Sequence, residues 1–162
     1  MNSLLIIGAG GHGTVVKEVA KACGYDKIEF LDDTSTKALG KISEIDKFKE
    51  YENVFVSIGN NKLRKKIFDT AKENGYKMPT LIHPEAYVSE SAKLGEGIIV
   101  EPKAIVNSNV TVGEGCIISV GAIVDHDAKI GDYAHVNAGT IVKAASSVEI
   151  FRRLEVGEIV YQ

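Results

Sequence analysis

Two short stretches of this chain place chemically capable residue types at useful spacing. The first is Val124-Asp125-His126-Asp127-Ala128, one imidazole between two carboxylates. A histidine titrates near neutrality, and a neighbouring carboxylate orients the ring and raises its basicity, which is what a general base requires. Asp-His-Asp is equally the composition of a solvated turn, so the residues alone leave both readings open. The second stretch is Gly8-Ala9-Gly10-Gly11-His12-Gly13, a match to GxGxxG. Glycines let a backbone approach a phosphate closely, and the amides at a helix start offer it partial positive charge. Asp32 and Asp33 begin 24 residues after Gly8, where a carboxylate would accept from ribose hydroxyls. The alternative is a tight structural turn whose glycines serve packing alone, which explains His12 least well. His135 follows His126 by nine residues, and His83 before Pro84 reads as structural. No two histidines have the short spacing of a dedicated metal site, so no metal is expected.

The glycine-rich loop needs a strand before it and a helix after it, and the sequence supplies both. Leu4 to Ile7 is a short apolar run, and Thr14 to Cys23 carries Val15, Val16, Val19 and Ala20 at helical spacing before Gly24. Ile28 to Leu31 and Val54 to Ile58 read as two further strands, with a helix from about Asn61 to Asn74 that ends at Gly75. Alternating strands and helices imply a parallel sheet covered by helices. With about three strands rather than the six of a dinucleotide fold, a single nucleotide diphosphate fits better than NAD. The basic run Lys62, Arg64, Lys65 and Lys66 reads as the solvated face of an amphipathic helix.

The His126 stretch belongs to a different grammar. From Ile82 to Val148 an aliphatic residue recurs at every sixth position, and a small or apolar residue follows four places after nearly all of them. Six is neither the helical period nor that of one long strand. It is the period of a chain wound into a prism whose coils stack as parallel strands, a β-helix. At three sides per turn the repeat makes roughly three to four coils, each inner aliphatic side chain contributing about 1.5 to 3 kcal/mol. Phe151, Leu154, Val156, Ile159 and Val160 read as lying outside the register and covering the far end, since solenoids need caps. The boundary between the halves is expected near residues 77 to 81, giving domains 1–79 and 80–162.

Composition narrows the partners. The chain has 162 residues, 44% hydrophobic and 25% charged, with a formal net charge of −3, so there is no basic footprint for nucleic acid. No stretch approaches the ~20 apolar residues of a membrane span, and Met1 leads straight into a strand, so a cytoplasmic location is expected. Cys23 and Cys116 fall in different halves and read as reduced thiols.

Four separated motifs, GAGGHGTVVKEVAKACGY, FLDD, SIGNNKLRKKI and VDHDAKIGDYAHVNAG, resemble in order those of bacterial sugar acetyltransferases that modify UDP-4-amino sugars and sialic acid. The resemblance runs over residues 1 to about 142. It implies a small Rossmann-like α/β sheet followed by a short left-handed parallel β-helix, assembled as a homotrimer that uses acetyl-CoA. Carried onto this chain, His126 is the general base that deprotonates an amine or hydroxyl, and Asp127 is its supporting carboxylate. Gly10, Gly11, His12, Asp32, Asp33 and Gly59 hold the nucleotide sugar, and His135 contacts acetyl-CoA from a neighbouring subunit. Transfer is direct, without a covalent acyl-enzyme. Members of the family continue for more coils, whereas here the register is read as ending after Val148. The alternative expectation is therefore a nucleotide-sugar-binding module that transfers no acetyl group.

Overall fold

The computed structural model describes residues 2–161. The chain divides into two compact units at the Pro79–Thr80 peptide. The first is a three-stranded parallel sheet in the order β2-β1-β3, built from β1 (Ser3–Ile7), β2 (Lys27–Leu31) and β3 (Asn53–Val56). Helix α1 (Gly11–Ala22) links β1 to β2, and α2 (Asn61–Glu73) follows β3. Leu4 to Ile7 in the central strand are wholly buried, as a parallel strand covered on both faces must be. The chain runs from β1 to β2 on one side and then to β3 on the other. The carboxyl ends of β1 and β3 therefore form a switch point, where open α/β sheets bind ligands.

Two glycines of the fingerprint are required by this packing. Gly8 has φ +102°, a left-handed conformation, and a Cβ there would press on Ile58 and Ser57. A Cβ on Gly13 would collide with the Gly8 carbonyl oxygen, so only glycine lets α1 lie this close to β1.

The basic run on α2 departs from expectation at Arg64. The buried side of α2 is Asn61, Arg64, Ile67, Phe68 and Ala71, so helical spacing carries Arg64 inward while Leu63 faces out. The guanidinium keeps its hydrogen bonding in the interior, Nη1 donating to the Ile58 carbonyl oxygen (2.8 Å).

The second unit is a parallel β-helix of two-residue strands, from β4 (Leu81–Ile82) to β16 (Ile159–Val160), in three sheets of four, five and four strands. Each strand pairs in parallel with those one coil away, 18 residues apart in sequence, as Ile117 does with Ile99 and His135. The aliphatic hexad column points inward, and from Val100 to Val148 it is buried together with its small partners such as Ala104, Cys116 and Ala134. Every corner from Gly97 to Gly157 turns on one residue with φ between +56° and +70°; five of the eleven are glycine, and Asn109 and Asp127 are among the others. Asn and Asp tolerate this conformation better than other side chains.

The repeat does not end at Val148. Leu154 and Val160 continue the six-residue column, both are buried in the core, and β16 pairs with the strand Ile141–Val142 one coil earlier. The residues read as a cap are thus a further stretch of coil. What changes is the small position four after each inward residue. It becomes Arg152 and Glu158, whose side chains turn outward and pair with each other (2.7 Å). Val156 and Ile159, expected to cover an end, are exposed.

The three outer faces differ in chemistry. One presents Lys93, Thr111, Lys129 and Ser147 to solvent. Another presents the apolar column Tyr87, Ile105, Ile123, Ile141 and Ile159, of which Tyr87 is 56% exposed and Ile159 44%. The remaining face carries Leu81, Ile99 and Ile117, all buried, then His135.

Candidate functional site

At the carboxyl ends of the first unit's strands, the fold brings together most of the residues expected to bind a nucleotide. Gly8 to Gly10 follow β1, Asp32 follows β2 directly, and Gly59 follows β3. Helix α1 follows the N-cap residue Gly10, with no side-chain cap and no acidic residue in its first turn, which leaves the N-terminal end of its dipole for an anion. A Cβ placed on Gly10, Gly11 or Gly59 would meet nothing within 4 Å, so these three line open space rather than serve packing.

The two aspartates have different surroundings. Asp32 Oδ2 accepts from the Ala9 amide (2.8 Å), and Oδ1 accepts from the amides of Thr34 and Ser35 (both 2.8 Å) and from the Thr34 hydroxyl. These bonds, led by that of Ala9, hold its carboxyl down at about 2. Asp32 therefore braces the glycine-rich loop against the loop after β2, a structural duty that the ribose-binding expectation did not include. Asp33 accepts from the Ile42 amide (3.0 Å) and opens onto a cavity of about 350 Å³ shared with Ile45, Leu63, Lys66 and Thr70.

His12 lies in the first turn of α1. Burial, and then the positive Arg64, push its pKa down to about 4. At neutral pH the ring is uncharged, so it can serve a ligand as a hydrogen-bonding group but not as a counter-ion.

In the second unit His126 stands at the corner between the apolar face and the lysine-bearing face. His126 Nδ1 is 2.8 Å from Asp127 Oδ2, and the His126 amide donates to Asp125 Oδ1 (2.8 Å). Asp127 reaches this position because the corner turn sets its φ at 61°. The hydrogen bond to Asp127 raises the His126 pKa above the ordinary histidine value, and the nearby Asp125 charge adds to it. With the carboxylate accepting, Nδ1 carries the hydrogen and Nε2 is left as a proton acceptor at an exposed corner. A cavity of about 350 Å³ opens beside Asp125, lined also by Lys143, Ala144, Ser146 and Tyr161, with the Lys143 ammonium 4.8 Å from the Tyr161 ring centre.

His135 is not part of this corner. It lies on the face opposite, where its Nε2 sits 3.0 Å from Ser119 Oγ. The packed aliphatic column separates the two rings within one chain. Ser119, Asn107 and Asn109 were not singled out from sequence. Their signal is the coil period: Asn107 Nδ2 donates to Asp125 Oδ1 (2.9 Å) and Asn109 Nδ2 to Asp127 Oδ1 (3.2 Å), each pair 18 residues apart. Neither cysteine is in a disulfide, and Cys116 is sealed in the coil interior, donating to the Gly131 carbonyl oxygen. Among the described residues no group of His, Cys, Asp and Glu is arranged to hold a metal ion, and no helix is long and apolar enough to cross a membrane.

Residues 3–71 match the family of the PglD N-terminal domain. Over 111 residues, 62% of this chain, the sequence is 31% identical to UDP-N-acetylbacillosamine N-acetyltransferase of Bacillus subtilis (strain 168), and the aligned stretch spans about half, 51%, of that protein. Among solved structures, the acetyltransferase domain of PglB from Neisseria gonorrhoeae FA1090 in complex with acetyl coenzyme A aligns at 31% identity. That alignment covers 96% of this chain and 89% of that one, with a TM-score of 0.84. PerB from Caulobacter crescentus, in complex with CoA and GDP-perosamine, aligns at 29% identity with a TM-score of 0.86 and covers 100% of this chain and 90% of that one.

Proposed function

Because the chain belongs to the hexapeptide-repeat sugar acetyltransferases, with their left-handed parallel β-helix, we propose that it moves an acetyl group from acetyl-CoA to an amine on a nucleotide-linked sugar. The observation that carries this reading is the His126–Asp127 pair, an imidazole whose Nδ1 is engaged at 2.8 Å and whose Nε2 is the remaining acceptor. In the reaction the amine nitrogen attacks the thioester carbonyl as His126 Nε2 takes the amine proton. A C–N bond forms, the C–S bond breaks, and the proton passes to the departing thiolate. No acyl-enzyme is needed, consistent with Cys116 being sealed in the interior.

The open glycines Gly10, Gly11 and Gly59 with the α1 N-terminus take the diphosphate, neutral His12 hydrogen-bonds to the acceptor, and Asp33 with its cavity takes the nucleoside. The cavity beside Asp125, the residue before His126, takes the acetyl end of the donor. The binding-module alternative drew on a repeat that stopped at Val148; the column instead runs to Val160, and the acetyl-CoA-bound relative aligns over nearly the whole chain. Titration calorimetry separates the two readings. Binding of both acetyl-CoA and a nucleotide sugar is expected, and nucleotide binding without acetyl-CoA binding would establish the module. Both co-substrates belong to the cytoplasm, which is where we place the reaction.

The raised His126 pKa sets the pH dependence. A general base acts only when neutral, so kcat/KM is expected to rise with pH through a midpoint above the ordinary histidine value of about 6.5 and then level off. Asp127→Asn removes the charge that stabilises the imidazolium while keeping a residue that tolerates φ 61°. Its midpoint should move to lower pH and its plateau should drop. A profile that superimposes on the parent's would remove Asp127 from the mechanism.

Three copies are proposed to assemble through the apolar face, on which Tyr87, Ile105 and Ile159 are exposed and Ile123 and Ile141 half-buried. Assembly around a three-fold axis would bring His135 of one copy towards the donor bound beside His126 of the next. Sedimentation should report three times 17.4 kDa, and a double change Ile105→Glu with Ile123→Glu should give single chains. A monomeric parent protein would refute the shared site.

A further inference from the structure

The proton acceptor is an exposed side chain, and so is the carboxylate that orients it. His126 and Asp127 side chains are 55% and 52% accessible. An exposed aspartate samples several rotamers, and a pair of this kind contributes little unless something else fixes its geometry. The corner supplies that fixture from the preceding coil. Ser91, Asn109 and Asp127 occupy one corner position on successive coils, 18 residues apart. The Asn109 amide donates to Ser91 Oγ (3.0 Å), and its own φ of 58° is left-handed like that of Asp127. From this anchored backbone the carboxamide Nδ2 donates to Asp127 Oδ1 (3.2 Å), while the other carboxylate oxygen, Oδ2, holds His126 Nδ1. A second rung runs beside it, Asn107 to Asp125 and Asp125 to the His126 amide.

We propose that Asn109 is a positioning residue for the proton acceptor: it clamps one oxygen of Asp127 so that the other stays on His126 Nδ1 and Nε2 stays aimed at the acceptor. This rests on His126 being the general base. The charged groups around the ring are Asp125 and Asp127 on its own coil, with Lys143 on the next coil sharing a cavity with Asp125. None of these is altered by a change at Asn109. Asn109 carries no charge, so it acts only through the geometry of Asp127 or by drawing charge from it. The two routes have opposite signs. Loss of a clamp lets Asp127 swing away, and the His126 pKa falls towards the ordinary value. Loss of a charge-withdrawing donor leaves Asp127 a stronger acceptor, and the His126 pKa climbs.

Asn109→Gly tests this cleanly, because glycine accepts φ 58° without strain and removes only the carboxamide. The His126 imidazole is followed by NMR titration of the whole protein, its signal among the four histidines assigned by its absence in His126→Gln. The midpoint is expected to move down in Asn109→Gly, and kcat to fall roughly 3- to 10-fold with both KM values unchanged, a small share of what general-base catalysis supplies. In an Asp127→Gly background the Asn109 change should have no further effect on either reading, since the residue acts through Asp127. A midpoint that is unchanged or raised overturns the proposal, as does a full additional loss in the Asp127→Gly background. If the parent protein transfers no acetyl group yet the midpoint still falls, the clamp stands and the assigned reaction is what fails.

Discussion

Replacing His126 with alanine is expected to lower kcat by about 10²- to 10⁴-fold, the usual range for loss of a positioned general base. The KM values for acetyl-CoA and the nucleotide sugar, and the unfolding midpoint, should stay close to those of the parent. Stability is kept by local contacts. The side chain is 55% accessible, its backbone remains bonded to Asp125, and Asp127 keeps its bond from Asn109. The loss is large because no neighbour can substitute: carboxylates such as Asp125 and Asp127 are feeble bases near neutrality, and Asp125 stays held low by the backbone amide of residue 126, which alanine keeps. His135 lies across the prism and cannot stand in from the same chain. A parallel rise in KM with kcat preserved would make His126 a binding group instead.

Leu154→Ala is expected to destabilise the coil unit by about 2 to 5 kcal/mol, the range for truncating a buried leucine. Leu154 is fully buried and continues the inward column, and the neighbouring backbone is tied into the coil by the Leu154 amide donating to the His135 carbonyl oxygen (3.0 Å). Val156 is the matched control. It is 71% exposed, and its truncation should cost no more than about 0.5 kcal/mol. Were the segment a cap lying across the end of the prism, the two substitutions would have comparable effects. Denaturant midpoints of the two variants decide between coil and cap.

That segment shows where reading from sequence succeeds and where it fails. The hexad column was legible because burial repeats at one fixed interval, and each inward residue reports its own environment. The same column passes through Leu154 and Val160, but the small residues beside it give way to Arg152 and Glu158. The broken partner pattern then hid the unbroken inner one. The glycine fingerprint was legible for a similar reason: Gly13 is forced by the Gly8 carbonyl five residues before it and Gly8 by its own left-handed φ, both of which the order strand, loop, helix already implies. Asp32 looked like a ligand-binding carboxylate, yet its oxygens are engaged by three loop amides. Nothing in the local sequence distinguishes those duties. Arg64 was misplaced because a run of four basic residues suggests one solvated face, whereas the rotation of α2 puts Leu63 outside and Arg64 inside.

The His126–Asp127 pair was legible as adjacent residues, but what holds it was not. Asn109 is 18 residues from Asp127 and Asn107 is 18 from Asp125, separations that mean nothing until the coil period is known. The Ser119 partner of His135 depends on the same stacking. In a β-helix the neighbours that matter lie one turn away, so a site on it is read by stepping through the chain at the coil length.

The central claim is acetyl transfer with His126 as the proton acceptor. Its most direct test is to incubate the purified protein with acetyl-CoA and a set of nucleotide-linked amino sugars, following free thiol and the mass of the sugar product. The account predicts stoichiometric thiol release and a product heavier by one acetyl group with at least one acceptor, both lost in His126→Ala. Thiol release that His126→Ala leaves intact, or no acetylated product from any acceptor when acetyl-CoA and nucleotide both bind, would contradict it.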